Sequence, residues 1–258
     1  MPPFLVAPGR DDPKPATGSC AIGIMAKVPR SGRVKTRLVP PLTHDQASAL
    51  SGCFLRDVSA AVVAAAAEVR PSRIRGVAAY LPQGEEQAFD GLIPRDFLLL
   101  PQRGAHLGER LFHATVDLLA AGFHSVCLVN SDSPTLPPSL LCEAALALEA
   151  PGDRVVLGPA SDGGYYLVGL KRAHRWLFEE ISWSTPSVLA QSLERARELS
   201  LEAHLLPEWY DVDDEQSLRF LCRELFERSG THPPTGNGAF TRALLDRLLP
   251  ELDGFTLE

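Results

Sequence analysis

Short apolar segments alternate with longer segments of helical period along most of the chain, and this alternation restricts the fold more than any other feature of the sequence. Strands that alternate with helices form a mostly parallel sheet covered by helices on both faces. The pattern therefore predicts one α/β domain of three layers. The predicted strands are 21–26, 74–81, 97–100, 125–130, 154–158, 165–170 and 202–206, and the predicted helices are 44–69, 107–121, 138–149, 186–199, 214–228 and 239–249.

Three regions of the chain differ in composition and periodicity. Five of the first 15 residues are proline, and residues 1–19 show no periodicity, which predicts a flexible leader. Residues 20–228 contain every predicted element except the last helix, and their length suits a single domain. We expect residues 229–258 to form a C-terminal extension with one helix.

The composition excludes several classes of protein. The net charge is −7, whereas general nucleic-acid binders usually carry a basic excess. The longest strongly apolar run, 60–67, is well under the roughly 18 residues that a membrane span needs. No secretory signal is evident at the start, and the five cysteines include no CxxC pair, which argues against a zinc site and a disulfide framework. We expect a reduced, cytoplasmic protein that binds neither nucleic acid nor membrane, and the sequence is silent on oligomeric state.

The loop after the first strand is a candidate phosphate site. In sheets of this kind, ligands bind outside the carboxyl ends of the strands. Residues 27–37 follow such an end and include five basic residues and no acidic one. Gly32 lets the backbone approach an anion, and Lys and Arg neutralise phosphate oxygens. The loop is not a P-loop, because GxxxxGK[ST] is absent. The alternative is a solvated basic surface loop.

Single carboxylates follow two of the later strands. Asp132 comes soon after strand 125–130, where a carboxylate suits a hard divalent cation. A local turn before Pro134 is the alternative. Asp162 begins an Asp-Gly-Gly turn, which is typical of a hairpin. The two glycines also leave space for a ligand, and Asp162 is then placed to orient a hydroxyl or to ligate a metal.

A pair of carboxylates precedes the helix predicted from residue 214. Asp211 and Asp213 are one residue apart on an extended segment, so their side chains point the same way, as metal ligands require. Asp213 with Gln216 also fits an N-cap pair. Asp211 is not explained by that cap.

Two further positions have structural alternatives. Thr185 precedes Pro186 and fits a helix cap, whereas the neighbouring Trp183 can form the wall of an acceptor site. His106 has no evident partner in the sequence, and a lone histidine is usually structural or solvated.

Taken together, these segments resemble the GT-A-like transferases known as arsenosugar-biosynthesis or radical-SAM/selenodomain-associated glycosyltransferases (DUF2064), which are related to MobA. The likeness extends from about residue 21 to residue 225, and His106 departs from it, because the family often has an acidic residue there. A narrower likeness, through Lys35-Thr36-Arg37-Leu38, is to 2-phospholactate guanylyltransferases. The matching stretches are Ala26-Lys27, Gly32-Arg33-Val34-Lys35-Thr36-Arg37-Leu38, Leu107-Gly108-Glu109-Arg110, Ser131-Asp132-Ser133-Pro134, Gly158-Pro159-Ala160, Asp162-Gly163-Gly164-Tyr165-Tyr166, Trp183-Ser184-Thr185 and Tyr210-Asp211-Val212-Asp213.

The resemblance implies a single Rossmann-like nucleotide-diphospho-sugar transferase domain and assigns its site residues. It implies Mg²⁺ or Mn²⁺ held by Asp132, with Asp211 or Asp213 as second contributor. Asp132, Asp162 and Lys35 would be the catalytic residues. The donor nucleotide and its phosphates would be bound by Ala26, Lys27, Gly32, Arg33, Lys35, Arg37, Leu107 and Gly108, and the acceptor by Gly163, Gly164, Tyr165, Trp183, Ser184 and Thr185.

Three functions remain open at this point. The whole-chain resemblance favours glycosyl transfer from a nucleoside-diphosphate sugar to a small-molecule acceptor. The basic loop favours nucleotidyl transfer from a triphosphate to a phosphorylated small molecule, because a triphosphate carries more charge. A non-catalytic nucleotide-binding regulator is the third reading, and the separate acidic positions argue against it, because binding alone does not need them.

Overall fold

The protein folds around one seven-stranded sheet, as seen in a computed structural model that describes residues 15–69, 73–227, 237–252 and 255. The strands are β1 Cys20–Lys27, β2 Ile74–Leu81, β3 Leu98–Pro101, β4 Ser125–Asn130, β5 Arg154–Pro159, β6 Tyr165–Leu170 and β7 Glu202–Leu205. The described residues also form the helices α1 His44–Glu68, α2 Leu107–Ala120, α3 Pro138–Glu149, α4 Val188–Glu198, α5 Glu215–Glu227 and α6 Ala239–Leu248.

The sheet is mixed and mostly parallel, which confirms the predicted α/β class. The strand order is β3-β2-β1-β4-β6-β5-β7. Strand β6 runs antiparallel to both of its neighbours, β4 and β5, whereas the other pairs are parallel. The antiparallel strand arises because β5 and β6 form a hairpin, and a hairpin can join only antiparallel strands.

The register of the sheet places the loops of interest side by side. Met25 in β1 lies beside Asn130 in β4, so the loops that follow these two strands leave the sheet at the same edge. Beyond β7, the chain continues alongside the end of β5, where Ala160 and Trp209 form a parallel bridge. Segments far apart in sequence are thus brought to one edge of the sheet.

Apolar layers cover both faces of the sheet. One layer packs side chains such as Ile22 and Ile24 of β1 against α1 and α3, and the other packs Ala21 and Val77 against α2 and α4. A third cluster joins α1, α5 and α6 and includes Leu38 and Val212, which lie in two of the loops at the carboxyl edge. The packing of the terminal helices therefore bears on the position of those loops.

Most of the predicted boundaries lie within two residues of the observed ones, and the predicted capping box at the start of α1 is present. Thr43 Oγ1 accepts a hydrogen bond from the backbone N–H of Gln46, and the Gln46 side chain accepts one from the backbone N–H of Thr43. The pair satisfies two of the N–H groups left without partners at a helix start.

The caps predicted for two helices are wrong. Helix α4 begins at Val188 rather than at 186, because Pro186 lies in a turn that the N–H of Val188 closes on the carbonyl of Thr185 at 3.3 Å. The Thr185 hydroxyl donates to the Ser182 carbonyl and does not cap the helix. Helix α5 is capped by Asp214, whose Oδ1 accepts the N–H of Ser217 at 2.9 Å. The predicted cap pair was Asp213 with Gln216, so the side chain of Asp213 is released from that role.

The predicted terminal regions are only partly described. Residues 1–14 lie outside the described residues, and within 15–19 the Ser19 side chain is buried and its carbonyl accepts a hydrogen bond from the N–H of His124. In the C-terminal region, 237–252 and 255 are described. These include the predicted helix, observed as Ala239–Leu248.

Helix α1 is the one described helix that is long and apolar enough to cross a membrane by length and composition. Within its most apolar window, 61% of the residues are buried inside the fold. It packs against the sheet and against α3 and α6, as a core helix of an α/β domain does.

The C-terminal helix is attached to α1 by a buried carboxylate. Asp57, which is 1% exposed, accepts hydrogen bonds from the backbone N–H groups of Phe240 at 2.9 Å and Thr241 at 2.8 Å. It thus caps α6, which has no side-chain cap of its own. Burial raises the pKa of Asp57, while the hydrogen bonds from Thr241 and Phe240 oppose that rise.

We expect Asp57→Ala to lower the free energy of unfolding by about 1–2 kcal/mol, the usual effect of removing a cap. The N–H groups of Phe240 and Thr241 lose their acceptor, and α6 loses part of its attachment to α1. Urea denaturation measures the change, with Asp45→Ala at an exposed position of the same helix as the control. Equal stability of the two variants would contradict the anchoring role of Asp57.

Candidate active site at the carboxyl edge of the sheet

Lys35 lies at the centre of the candidate site. Its side chain is 6% exposed, and its Nζ lies 3.0 Å from Oδ2 of Asp132 and 2.8 Å from Oδ1 of Asp213. It also donates a hydrogen bond to the carbonyl of Val212 at 2.8 Å. The backbone of Lys35 has φ 49° and ψ 36°, a left-handed conformation that is uncommon for a residue with a side chain. The loop is thus folded so that this one lysine points inward.

The ammonium of Lys35 stays charged in this setting. Burial acts to lower the pKa of Lys35, but the charges of Asp132 and Asp213 and their hydrogen bonds outweigh burial, and the pKa is raised. An opposite charge within hydrogen-bonding distance favours the charged form of a group. Lys35 is therefore a fixed positive charge between two carboxylates at neutral pH.

Backbone hydrogen bonds hold the two carboxylates in place. The N–H of Val212 donates to the carbonyl of Asp132 at 2.9 Å, which ties the segment before α5 to the loop after β4. At Asp132 itself, the Ser131 hydroxyl donates to Oδ1 at 3.1 Å. Lys35, Asp132 and Asp213 lie in three backbone segments at the same edge of the sheet. The topology of the fold therefore brings the lysine and the two carboxylates together.

A second group of carboxylates lies beside this centre. The pKa of Asp211 is raised to about 6, first by burial and then by the negative charges of Asp213, Asp162 and Asp132, while Lys35 opposes the rise. Asp162 lies at the hairpin turn, where its Oδ1 accepts the N–H of Gly164 at 2.8 Å. The interpretation of this segment as a hairpin turn is therefore correct. The turn leaves Asp162 exposed next to Asp211.

The remaining basic residues of loop 27–37 are mostly exposed. Arg37 is 69% exposed at its side chain and lies 3.5 Å from Asp214 and 3.9 Å from Asp213. Arg30 pairs with Glu85. Lys27 and Arg33 are exposed, as is Gly32, which has a φ of 68°. The loop therefore combines one buried cation at the site with several cations on its surface.

The predicted acceptor residues form a packed cluster. The rings of Tyr165 and Trp183 meet edge to face with centroids 6.2 Å apart. Trp183 also packs so closely on Gly108 that a β-carbon at that glycine would lie 2.7 Å from the indole nitrogen. Ser184 adopts a φ of 64° in the turn before α4. Trp183 thus links the predicted donor residue Gly108 to the predicted acceptor residue Tyr165.

His106 has a structural position at the start of α2. Its Nδ1 lies 3.4 Å from the N–H of Glu109, and its Nε2 lies 3.7 Å from the Glu109 carboxylate. It serves as the residue that caps the helix.

Gly163 offers a direct test of the turn that carries Asp162. It has a φ of 87°, and a β-carbon there would lie 2.3 Å from the carbonyl oxygen of Pro186. Gly152 has nearly the same φ, 86°, with no atom within 4 Å of such a β-carbon. We expect Gly163→Ala to destabilise the protein by about 1–3 kcal/mol more than Gly152→Ala, because both variants carry the backbone strain and only the first is overpacked.

Thermal or urea unfolding of the two glycine variants measures that difference. If Gly163→Ala and Gly152→Ala were equally stable, the close approach of the turn to Pro186 would not exist in solution.

A cleft of about 1060 Å³ opens next to the carboxylates. None of the predicted acceptor residues is among the described residues that line it. Its walls combine acidic residues, aromatic residues and two arginines. They include Arg37, Asp162, Glu208, Trp209, Tyr210, Asp211, Asp213, Asp214, Phe220, Arg223 and Glu224.

The carboxylates of the candidate site meet the requirements of a divalent cation only in part. Within the described portions of the chain, no group of three or more His, Cys, Asp and Glu residues is arranged to hold a metal ion. Mg²⁺ beside phosphates usually takes only one or two carboxylates and completes its shell with waters and phosphate oxygens. Asp132 and Asp213 fit that smaller requirement, because their oxygens already converge on one positive charge, the Lys35 ammonium.

The sequence did not reveal how these residues meet. The pairing of Lys35 with Asp132 and Asp213 joins parts of the chain that are up to 178 positions apart. The cleft residues Trp209 and Phe220 were also missed. A usable signal was present, since two aromatic residues directly precede the Asp211-x-Asp213 pair.

Part of the chain is similar to a known family of bacterial sequences. Residues 63–185 match the sequence profile of a family described as "Uncharacterized protein conserved in bacteria (DUF2064)". This is the family that the sequence motifs resembled, and the match runs from within α1 to the turn before α4. No curated protein matches the chain.

Three solved structures are similar to this chain in fold. A provisionally named nucleotide-diphospho-sugar transferase from Desulfovibrio desulfuricans G20 is 29% identical, with a TM-score of 0.77 over 92% of this chain and 97% of that chain. A CMP:2-keto-3-deoxy-manno-octonic acid synthetase complexed with CTP is 14% identical, with a TM-score of 0.51 over 82% and 100% of the two chains. A 4-diphosphocytidyl-2C-methyl-D-erythritol synthase from Anaerococcus prevotii DSM 20548 is 11% identical, with a TM-score of 0.50 over 81% and 99%.

The two more distant likenesses concern the fold alone. The α/β fold of this chain, with its mixed seven-stranded sheet, is therefore similar to the folds of these three proteins.

Proposed function

We propose that the protein is a metal-dependent transferase that uses a nucleotide-activated donor, and that it transfers a glycosyl group from a nucleoside-diphosphate sugar to a small-molecule acceptor. The observation that carries the proposal is the convergence of Asp132 and Asp213 on Lys35 at the carboxyl edge of the sheet. The similarity to the D. desulfuricans protein over 92% of this chain supports it.

In this proposal, the loop after β1 binds the donor phosphates. Arg33 and Arg37 are exposed and positively charged, so they can reach phosphate oxygens, and Gly32 has open space around it. Lys35 is held rigidly, so its charge needs no rearrangement when the leaving phosphate gains negative charge. Fixed charges of this kind are the usual source of transition-state stabilisation.

The proposed reaction exchanges one bond for another. The bond between the sugar's anomeric carbon and the phosphate oxygen breaks, the bond between that carbon and an acceptor hydroxyl oxygen forms, and a nucleoside diphosphate leaves. The acceptor proton passes to a carboxylate, for which we propose Asp162 or Asp211. A Mg²⁺ or Mn²⁺ ion, held by Asp132 and Asp213 with Asp211 nearby, would neutralise charge on the donor phosphates.

Nucleotidyl transfer is the second candidate. It would join a nucleoside triphosphate to a phosphorylated small molecule and release pyrophosphate. The observation that favours it is the set of exposed cations at Lys27, Arg33 and Arg37, which suits the larger charge of a triphosphate.

A mass-spectrometric screen distinguishes the candidates. The purified protein is incubated with Mg²⁺ or Mn²⁺, a panel of nucleoside triphosphates and nucleotide sugars, and a panel of acceptors. A nucleoside diphosphate with a glycosylated acceptor is the result we expect. Pyrophosphate with a nucleotidylated acceptor would replace our proposal by the second candidate. Nucleotide binding without turnover and without metal dependence would favour a regulator.

A further inference from the structure

The cleft beside the carboxylates has an aromatic wall. The rings of Trp209 and Tyr210 are stacked, with centroids 5.9 Å apart and planes 26° from parallel. Phe220 meets Tyr210 edge to face at 4.6 Å. Phe220 projects from α5 next to these rings, and yet it is 48% exposed. An exposed aromatic group inside a concave surface offers a contact area to the apolar face of a ligand.

The same cleft is predominantly acidic. Six carboxylates line it, and the two arginines among the lining residues are Arg37 and Arg223. Arg37 already lies within 4 Å of both Asp213 and Asp214, so part of its charge is compensated locally. The six carboxylates belong to Asp162, Glu208, Asp211, Asp213, Asp214 and Glu224.

We infer that this cleft receives the acceptor, and that the acceptor is a hydroxyl-bearing molecule with an apolar ring face and no phosphate or other anionic group. The inference rests on the proposed glycosyl transfer. It places the acceptor against Trp209, Tyr210 and Phe220, with its hydroxyl towards Asp162 and Asp211. It differs from the sequence-based acceptor site, whose aromatic residue Trp183 packs onto Gly108 and Tyr165.

The negative charge of the cleft argues against a phosphorylated acceptor. Even with Asp211 and Asp213 beside the proposed cation, a phosphate in the cleft would face the carboxylates of Asp162, Glu208, Asp214 and Glu224. Charges that are only partly exposed to water are less screened than charges on an open surface. The aromatic wall can contact an uncharged acceptor, because sugar rings and similar molecules present apolar C–H faces. The cleft therefore favours the unphosphorylated member of any pair of otherwise identical acceptors.

The test compares matched pairs of probes. The probes are D-glucose, D-ribose and myo-inositol, each with its phosphate monoester, and their affinities are measured by ligand-observed NMR in the presence of a nucleoside diphosphate and Mg²⁺. We expect at least one unphosphorylated probe to bind at least tenfold more tightly than its monoester. Phe220→Ala, at a half-exposed position, should weaken that probe several-fold.

A charge reversal at the rim sharpens the comparison. Glu208 is exposed and lines the cleft, whereas Glu194 is exposed on α4 outside it. Glu208→Lys should reduce the discrimination against the monoesters several-fold, and Glu194→Lys, with the same change in net charge, should leave it unchanged. Equal effects of the two variants would overturn the inference, because the discrimination would then depend on the net charge of the protein.

The remaining outcomes separate the inference from the proposed function. If UDP, GDP or CDP binds but the monoesters bind more tightly than the parent probes, or no probe binds, the inference fails and the proposed donor site stands. An unchanged affinity in Phe220→Ala also overturns the inference. If no nucleoside diphosphate binds at all, the proposed function fails and removes the inference with it.

Discussion

Asp132→Asn is expected to lower metal-dependent turnover by at least about a hundredfold, the usual effect of losing one contact that stabilises charge in a transition state. Asparagine keeps the shape of the side chain and removes its charge. It therefore weakens both the contact with Lys35, now 3.0 Å away, and the proposed contribution to the cation. Turnover with Mg²⁺ and with Mn²⁺, measured with the substrates that the screen identifies, gives the result.

The control for this prediction is Asp90→Asn, which makes the same change at an exposed position away from the site. Its turnover should equal that of the parent protein. Far-UV circular dichroism and a melting curve establish that Asp132→Asn remains folded, which we expect because the Asp132 side chain is 31% exposed. Full turnover of folded Asp132→Asn with either metal would remove Asp132 from the mechanism.

Local periodicity explains why the elements of the fold were predictable. The spacing of apolar residues is a property of neighbouring positions, and it identified strands such as Ile74–Leu81 and Ser125–Asn130 with their observed bounds. The capping box of Thr43 and Gln46 was predictable for the same reason. The cap of α5 was misplaced by one residue, because Asp213 and Asp214 are both good caps and the choice between them depends on what else each side chain contacts.

It was also predictable that the loops of the candidate site would meet at one edge of the sheet, but the contacts between their side chains were not. The rule that ligands bind at the carboxyl ends of strands indicated Asp132, Asp162 and the loop of Lys35, and the structure brings these to one edge. Which side chains touch there depends on strand order and on the backbone conformation of single residues. Lys35 points inward because of its left-handed conformation, and no periodic pattern encodes that.

The contribution of the C-terminal helix is a further long-range effect. Asp57 in α1 caps α6 through residues more than 180 positions away. The third apolar cluster, which contains residues of α6, also contains Leu38 and Val212 from the loops that carry Lys35 and Asp213. Composition alone describes residues 229–258 as an extension, whereas the packing of its described helix makes it part of the support for the site.

Lys35→Met is expected to change two properties in opposite directions. Turnover should fall about a hundredfold, because the fixed charge that stabilises the leaving phosphate is lost. The affinity of the free protein for Mn²⁺ should rise, because the Lys35 ammonium occupies the oxygens of Asp132 and Asp213 that we propose for the cation. The variant should lose some stability, because the Val212 carbonyl loses its donor, so a melting curve must establish that it remains folded.

Competition for the same oxygens also gives the size of the second effect. Two unit charges 4 Å apart near a protein surface interact by about 4 kcal/mol. The solvent exposure of Asp132 and Asp213 reduces this energy. We therefore expect Mn²⁺ affinity to rise about tenfold, which corresponds to about 1.4 kcal/mol. Electron paramagnetic resonance of Mn²⁺ without nucleotide measures it, with Arg95→Met as the control for net charge at an exposed position. If Lys35→Met bound Mn²⁺ no more tightly than the parent protein, the lysine and the cation would not share these carboxylates, and the metal would have to be assigned to other oxygens.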